Sequence, residues 1–212
     1  MIGIIDYGMG NLFSVGKALE RLNVPYLISD DPDTLKQADG LILPGVGSFY
    51  DAMALLREKG LLDLILDYAK SDRPLLGICL GMQLLFDASE ENGFSEGLGL
   101  LKGKVKAIPP QGKGGESYKV PHMGWNKLRF QKRSVLLDGL EEDHVYFVHS
   151  YFVDEMERED LAASAEYNVE IPAVVSKGNV YGMQFHPEKS SRLGMSLLKN
   201  FTGMVYEKES LR

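Results

Sequence analysis

Leu75-Leu76-Gly77-Ile78-Cys79-Leu80-Gly81-Met82-Gln83-Leu84-Leu85-Phe86 passes from a short apolar run, through a pair of glycines, into a segment with helical spacing. The run Leu75 to Ile78 has the length of a buried strand, and Leu80 to Asp87 carries the apolar recurrence of a helix. Gly77-Ile78-Cys79-Leu80-Gly81 therefore matches the Gly-x-nucleophile-x-Gly elbow, in which a strand turns sharply into a helix and the central side chain projects above a sheet. At a helix N-terminus the free N–H groups and the macrodipole favour a thiolate over a thiol. The alternative is a cysteine buried as a small hydrophobe, and the elbow by itself does not decide between them.

Working outward, the first half alternates short apolar runs with amphipathic segments, the signature of strands and crossover helices in a mostly parallel sheet. Ile2 to Asp6, Tyr26 to Ser29 and Leu41 to Leu43 read as the other strands of that sheet. Asn11 is placed to cap a helix with Leu12, Val15, Leu19 and Leu22 on one face, and Ala52 to Lys59 and Leu61 to Lys70 read as further helices interrupted by Gly60. After Leu101 the pattern shortens. Val105 to Ile108, Lys127 to Phe130, Val145 to Val153, Ala173 to Ser176 and Val180 to Phe185 read as an added antiparallel section, with Lys177-Gly178-Asn179 turning the last two into a hairpin. A helix from Arg192 to Val205 follows. Gln111 to Gly115 lacks the context of a phosphate cradle and reads as a plain flexible loop.

The 212 residues suit one domain, and 44% hydrophobic with 25% charged residues suits a globular one. A formal charge of −7 offers no basic footprint, so no nucleic-acid partner is expected. No run is long enough to span a bilayer, and Met1 to Asp6 reads as a strand rather than a leader. One cysteine permits no internal disulfide, which agrees with a reducing cytoplasmic setting.

A reactive thiol needs a base. Of His122, His144, His149 and His186, only the last stands beside an evident orienting group, in His186-Pro187-Glu188 after an apolar strand. Glu188 can accept the imidazole N–H and stabilise the imidazolium formed as Cys79 loses its proton. A surface turn histidine is the alternative. So is a zinc ligand, but the sequence holds no second cluster at ligand spacing and no metal is expected. An oxyanion needs donors: the Leu80 N–H supplies one, and Pro44-Gly45-Val46-Gly47, closing the Leu41 strand, can supply another through Gly47 unless it is an ordinary glycine-rich turn. At this level the residues fix a thiol acyl-transfer site and leave its substrate open.

Pro44-Gly45-Val46-Gly47, Gly77 to Gln83 and His186-Pro187-Glu188, in that order, resemble the triad-type (class I) glutamine amidotransferases. The resemblance implies one α/β domain over residues 1–212, flavodoxin-like, with a mostly parallel central sheet, flanking helices and an antiparallel section. It also implies a glutaminase without a cofactor, with Cys79, His186 and Glu188 as the triad and Gly47 and Leu80 as oxyanion donors. Gly45, Gln83, Glu91, His149, Ser150 and Tyr151 would bind L-glutamine, although Gln83 and Glu91 could be solvated helix-end residues and Tyr151 strand packing.

A narrower likeness, to the glutaminase subunits of imidazole glycerol phosphate synthase, is carried by Asp6 to Leu12, Pro44 to Phe49, Pro121-His122-Met123-Gly124-Trp125-Asn126, Phe147 to Tyr151 and His186 to Ser190. It implies a heterodimer with the cyclase subunit, docked through Met123, Trp125, Tyr146 and Lys189, with Trp125 as a core residue the alternative. In that family ammonia serves histidine biosynthesis, converting the nucleotide PRFAR to imidazole glycerol phosphate and AICAR. The rival likenesses are the glutaminase subunit of pyridoxal phosphate synthase, a free-standing γ-glutamyl hydrolase and an inactive amidotransferase-like scaffold.

Overall fold

In the computed structural model, which describes residues 1–112 and 114–209, the first apolar runs become parallel neighbours. They are β1 (Ile2–Ile5), β2 (Tyr26–Ser29), β3 (Gly40–Gly45) and β4 (Leu75–Cys79), joined by α1 (Leu12–Arg21), α2 (Pro32–Leu35), α3 (Phe49–Glu58) and α4 (Leu61–Ala69). Then come α5 (Leu80–Leu84), β5 (Phe86–Ser89), β6 (Ser95–Glu96), β7 (Leu101–Ala107), β8 (His122–Lys127), β9 (Arg129–Phe130), β10 (His144–His149) and β11 (Tyr151–Asp154). The chain finishes with β12 (Leu161–Glu166), β13 (Glu170–Lys177), β14 (Val180–Met183) and α6 (Ser191–Glu209).

The main sheet runs β2-β1-β3-β4-β14-β13-β12-β9, parallel from β2 through β14 and antiparallel beyond. Its alternating side chains feed two cores. Ile2, Ile4, Leu76 and Ile78 pack with Val15 and Leu19 of α1 and Leu197 and Phe201 of α6. Leu41, Leu43 and Leu75 pack with Leu56 of α3 and with Leu61 and Ile65 of α4. Continuous apolar runs are what strands covered on both faces require. Two smaller pieces complete the added section: an antiparallel β10–β8 ribbon and a mixed sheet ordered β11-β7-β5-β6, in which β5 and β7 run parallel. No helix among the described residues is long and apolar enough to cross a membrane.

Several local readings are corrected. The helix expected over Leu80 to Asp87 stops at Leu84. The Leu84 carbonyl accepts from Leu98 N–H, and that of Leu85 from Leu100 and Leu101 N–H, so the carbonyls that would extend the helix are taken by a distant loop, and Phe86 begins a strand. Asn11 makes no side-chain cap; its backbone carbonyl receives the Val15 N–H instead. The run Val145 to Val153 splits at Ser150 into two strands belonging to different sheets, and Lys127 to Phe130 straddles β8 and β9. Strand β12 escaped notice because Leu161-Ala162-Ala163-Ser164-Ala165 is buried throughout and shows no polar alternation. The Gln111 to Gly115 loop, whose position 113 lies outside the described residues, is closed by a bridge between Gln111 and Ser117 and by a Gly112 N–H bond to the Glu116 carbonyl.

Candidate active site

Cys79 stands between β4 and α5 with φ 54° and ψ −115°, a left-handed conformation that costs a residue with a side chain roughly 1–3 kcal/mol. The flanking glycines are what let the turn close. A Cβ on Gly77 would fall 2.5 Å from the Gly81 carbonyl oxygen, and one on Gly81 would fall 1.8 Å from that of Leu43. Gly45 belongs to the same packing: its Cβ would lie 2.7 Å from the Tyr7 hydroxyl and 2.8 Å from Gly81 N. It packs against the elbow and is not among the residues that line the cavity in front.

His186 follows the end of β14, which pairs with β4, so the parallel register itself brings base and thiol together. Its ring Nδ1 lies 2.8 Å from Glu188 Oε1, and both side chains are almost wholly buried. A carboxylate at Nδ1 accepts that N–H, which leaves Nε2 as the ring nitrogen that can exchange a proton with the thiol. Burial pushes the His186 imidazolium down, but the hydrogen bonds and charges of Cys79 and Glu188 outweigh it and hold the ring at about 9. Ser190 fixes the backbone here, donating its hydroxyl to the His186 carbonyl and accepting from Tyr146 N–H. Among the described residues no group of three or more histidine, cysteine or acidic side chains is arranged to hold a metal ion.

A cavity of about 240 Å³ opens over the thiol, lined by Val46, Gly47, Leu80, Gln83, Glu91, Val148, His149, Ser150, Tyr151, Cys79 and His186. Gln83 is not a solvated residue: its Nε2 donates at 3.0 Å to both the Tyr151 carbonyl and Gln184 Oε1. Glu91 accepts the Phe49 N–H at 2.9 Å, tying the cavity to the start of α3 just beyond the glycine turn. Gly47 sits at φ 98°, and a Cβ there would strike the Met9 methyl at 2.7 Å. A larger groove, about 500 Å³, runs past Tyr118, Arg129 and Glu170, but neither the thiol nor any imidazole lines it, so the chemistry belongs to the smaller cavity.

The β8–β10 ribbon has two unlike faces. Outward, Met123 opposes Val148 and Trp125 opposes Tyr146, the latter rings meeting edge to face at 5.9 Å. Met123 and Trp125 are 61% and 51% exposed, so Trp125 is not a core residue, and Lys189 is exposed as well. Inward, His122 and His149 are paired and buried, so His186 is not the sole histidine with partners. Sequence reasoning passed over His122, Val46, Val148 and Gln184. The period-two alternation of His122, Gly124 and Asn126 opposite His149 was the available signal for the first.

With that geometry in view, the comparisons with known proteins agree. Residues 4–204 match the family described as glutamine amidotransferase class-I. The imidazole glycerol phosphate synthase subunit HisH of Geobacillus thermodenitrificans is 62% identical over 210 residues, 99% of each chain, and that of Bacillus subtilis is 59% identical over 209 residues, again 99% of each. A solved glutamine amidotransferase shares the fold with a TM-score of 0.74 at 21% identity, covering 97% of this chain and 98% of its own. A putative GMP synthase subunit from Thermoplasma acidophilum does so at 0.70 and 22%, covering 99% and 96% respectively.

Proposed function

The chain belongs to the class-I glutamine amidotransferases, and from that premise we propose that it hydrolyses L-glutamine with Cys79, His186 and Glu188 and passes the ammonia to the cyclase subunit of imidazole glycerol phosphate synthase. The observation that carries the reading is a thiol on a strained elbow that shares the wall of an amino-acid-sized cavity with a buried His186–Glu188 pair.

The Cys79 thiolate attacks the side-chain amide carbon, and the carbonyl electrons move onto oxygen, where the N–H groups of Leu80 and Gly47 receive them. The C–N bond breaks as the His186 imidazolium gives its proton to the departing nitrogen, leaving a glutamyl thioester and ammonia. Water then adds to the thioester with His186 taking its proton; the C–S bond breaks and glutamate leaves. Glu188 holds the imidazole tautomer through both halves. At the head group, Gln83 has both amide protons engaged, which leaves Oε1, together with Glu91, to accept from the α-ammonium.

We assign the exposed Met123–Trp125–Tyr146 face and Lys189 to docking the cyclase in a heterodimer, with the whole chain acting as one domain in the cytoplasm. Aromatic anchors beside a polar rim suit such an interface. Direct transfer also makes chemical sense, since ammonia released into water is protonated and lost as a nucleophile. The test is a Cys79→Ala variant in complex with the cyclase. It should lose glutamine-dependent synthesis and keep synthesis from added ammonia; undiminished glutaminase activity would refute the triad.

A further inference from the structure

Behind the cavity wall lies a hydrogen-bonded line that the triad does not use. The Asn126 Nδ2 donates to the Glu166 carbonyl at 3.1 Å, and its Oδ1 meets His122 Nε2 at 2.8 Å. His122 Nδ1 meets His149 Nε2 at 2.9 Å, and His149 Nδ1 meets the Tyr151 carbonyl at 2.7 Å. Both ends of the line are backbone carbonyls, which only accept. Every contact between them needs a proton, so the two rings must supply three, and two neutral imidazoles carry only two.

We propose that His122 and His149 share one excess proton as a buried imidazole–imidazolium dyad, and that its positive charge, presented to the cavity by His149, positions the α-carboxylate of the amino-acid substrate. The substrate part rests on the glutaminase reading. Turning the Asn126 carboxamide over would let two neutral rings fill the line, but it gives up the Nδ2 hydrogen bond and sets Oδ1 against the Glu166 carbonyl at 3.1 Å. Burial opposes the charge: it pulls His122 below its ordinary value, against the Asn126 hydrogen bond, and takes His149 down to about 4 despite the Tyr151 carbonyl, with the charges of His122 and His186 adding to the fall. Two features favour the charge. His122, fully buried, stacks on Tyr167 at 4.1 Å and on Phe147 at 4.8 Å, aromatic faces that attract a cation. Each of its ring nitrogens also has an oxygen or nitrogen acceptor within 2.9 Å.

The groups facing the pair are His186 and Cys79 at the same cavity, Glu91 on its lining, Glu188 behind His186, and the Tyr151 and Tyr167 phenols. Without the dyad, His186 would be the only cation set against the Cys79 thiolate, Glu188 and Glu91, and an incoming carboxylate would meet net negative charge. With it, Glu91 serves the ammonium end of a zwitterion and the dyad its carboxylate end. The same proton orients the wall, since His149 Nδ1 and Gln83 Nε2 both donate to the Tyr151 carbonyl. His122 acts only through His149 and is a positioning residue.

Two measurements test this. Nitrogen-15 spectra of histidine-labelled wild-type protein at pH 7 should show the four ring nitrogens of His122 and His149 carrying three protons between them, one of them shared across the His122 Nδ1–His149 Nε2 contact; only two protons would overturn the dyad. In the complex with the cyclase, His122→Phe should raise the KM for L-glutamine by about tenfold, as loss of a nearby charge in a partly buried site does, with kcat little changed. The KM for 4-aminobutanamide, which lacks the carboxylate, should not move. An equal rise for both substrates would mean that His122 is merely structural and would overturn the carboxylate assignment. Asn126→Asp should keep the pair protonated to higher pH than wild type, and Asn126→Leu should release it at lower pH; coincident pH profiles of KM would also count against the proposal. The spectra need no substrate, so a failed dyad and a failed glutaminase assignment are told apart.

Discussion

Replacing Glu188 by glutamine removes one of the two groups that lift His186 from an ordinary 6.5 to about 9. That lift is worth roughly 3 kcal/mol of preference for the imidazolium, and assigning half of it to Glu188 gives about tenfold in the population of the protonated ring. The tautomer adds more. At 2.8 Å a carboxylate can only accept the Nδ1 proton, whereas a carboxamide can present its N–H there and drive the proton to Nε2, where it blocks abstraction from the thiol. In the serine-protease counterpart the same exchange costs about 10⁴ in kcat, so a loss of about 10²–10⁴ is expected here.

The pH dependence carries a sign. A ring raised to about 9 keeps its proton through neutrality and loses it as pH climbs through that value, so wild-type turnover should fall off near there and the variant's at lower pH. The assay is glutamate release by the complex with cyclase and its nucleotide ligand between pH 6 and 10. A variant within about threefold of wild type and with an unmoved basic limb would refute the orienting role, because the kinetic effect required is at least 10².

Gly81→Ala should destabilise the fold by about 3 kcal/mol or more, since its Cβ would meet a backbone oxygen that no rotamer can move; an unchanged urea midpoint would contradict this. Trp125→Ala should leave the isolated chain within about 1 kcal/mol of wild type in thermal unfolding, because half of the ring is exposed. The same change should weaken cyclase binding by about 2 kcal/mol or more, roughly thirtyfold by calorimetry, and unaltered affinity would move the interface elsewhere. Glutaminase activity of the isolated chain should be weak and rise when the cyclase and its nucleotide bind; full activity alone would favour a free-standing hydrolase.

The parallel sheet could be read from sequence because its strands are covered on both faces and so are continuously apolar. Tyr26 to Ser29 coincides with β2, and Leu75 to Ile78 falls one residue short of β4. The elbow was readable for a related reason, since glycines at fixed spacing report backbone contacts that nothing larger could make. What escaped was decided at long range. Leu84 to Phe86 has helical spacing, and only carbonyl bonds to residues 98–101 end the helix. Gly45 stands in a glycine-rich turn, and only the structure shows how closely it packs against Tyr7 and Gly81. His122 could be paired with His149 only once the register of β8 and β10 was known.

That register limits how the ribbon can change. Successive residues of β8 serve opposite masters: Met123 and Trp125 face outward, His122 and Asn126 inward to the line that ends at the cavity. Inserting or deleting one residue in either strand would exchange the two sets, burying the outward side chains and turning the histidines to solvent. The outward positions can therefore change by substitution, but the lengths of these two paired strands are held by the histidine line on their reverse side.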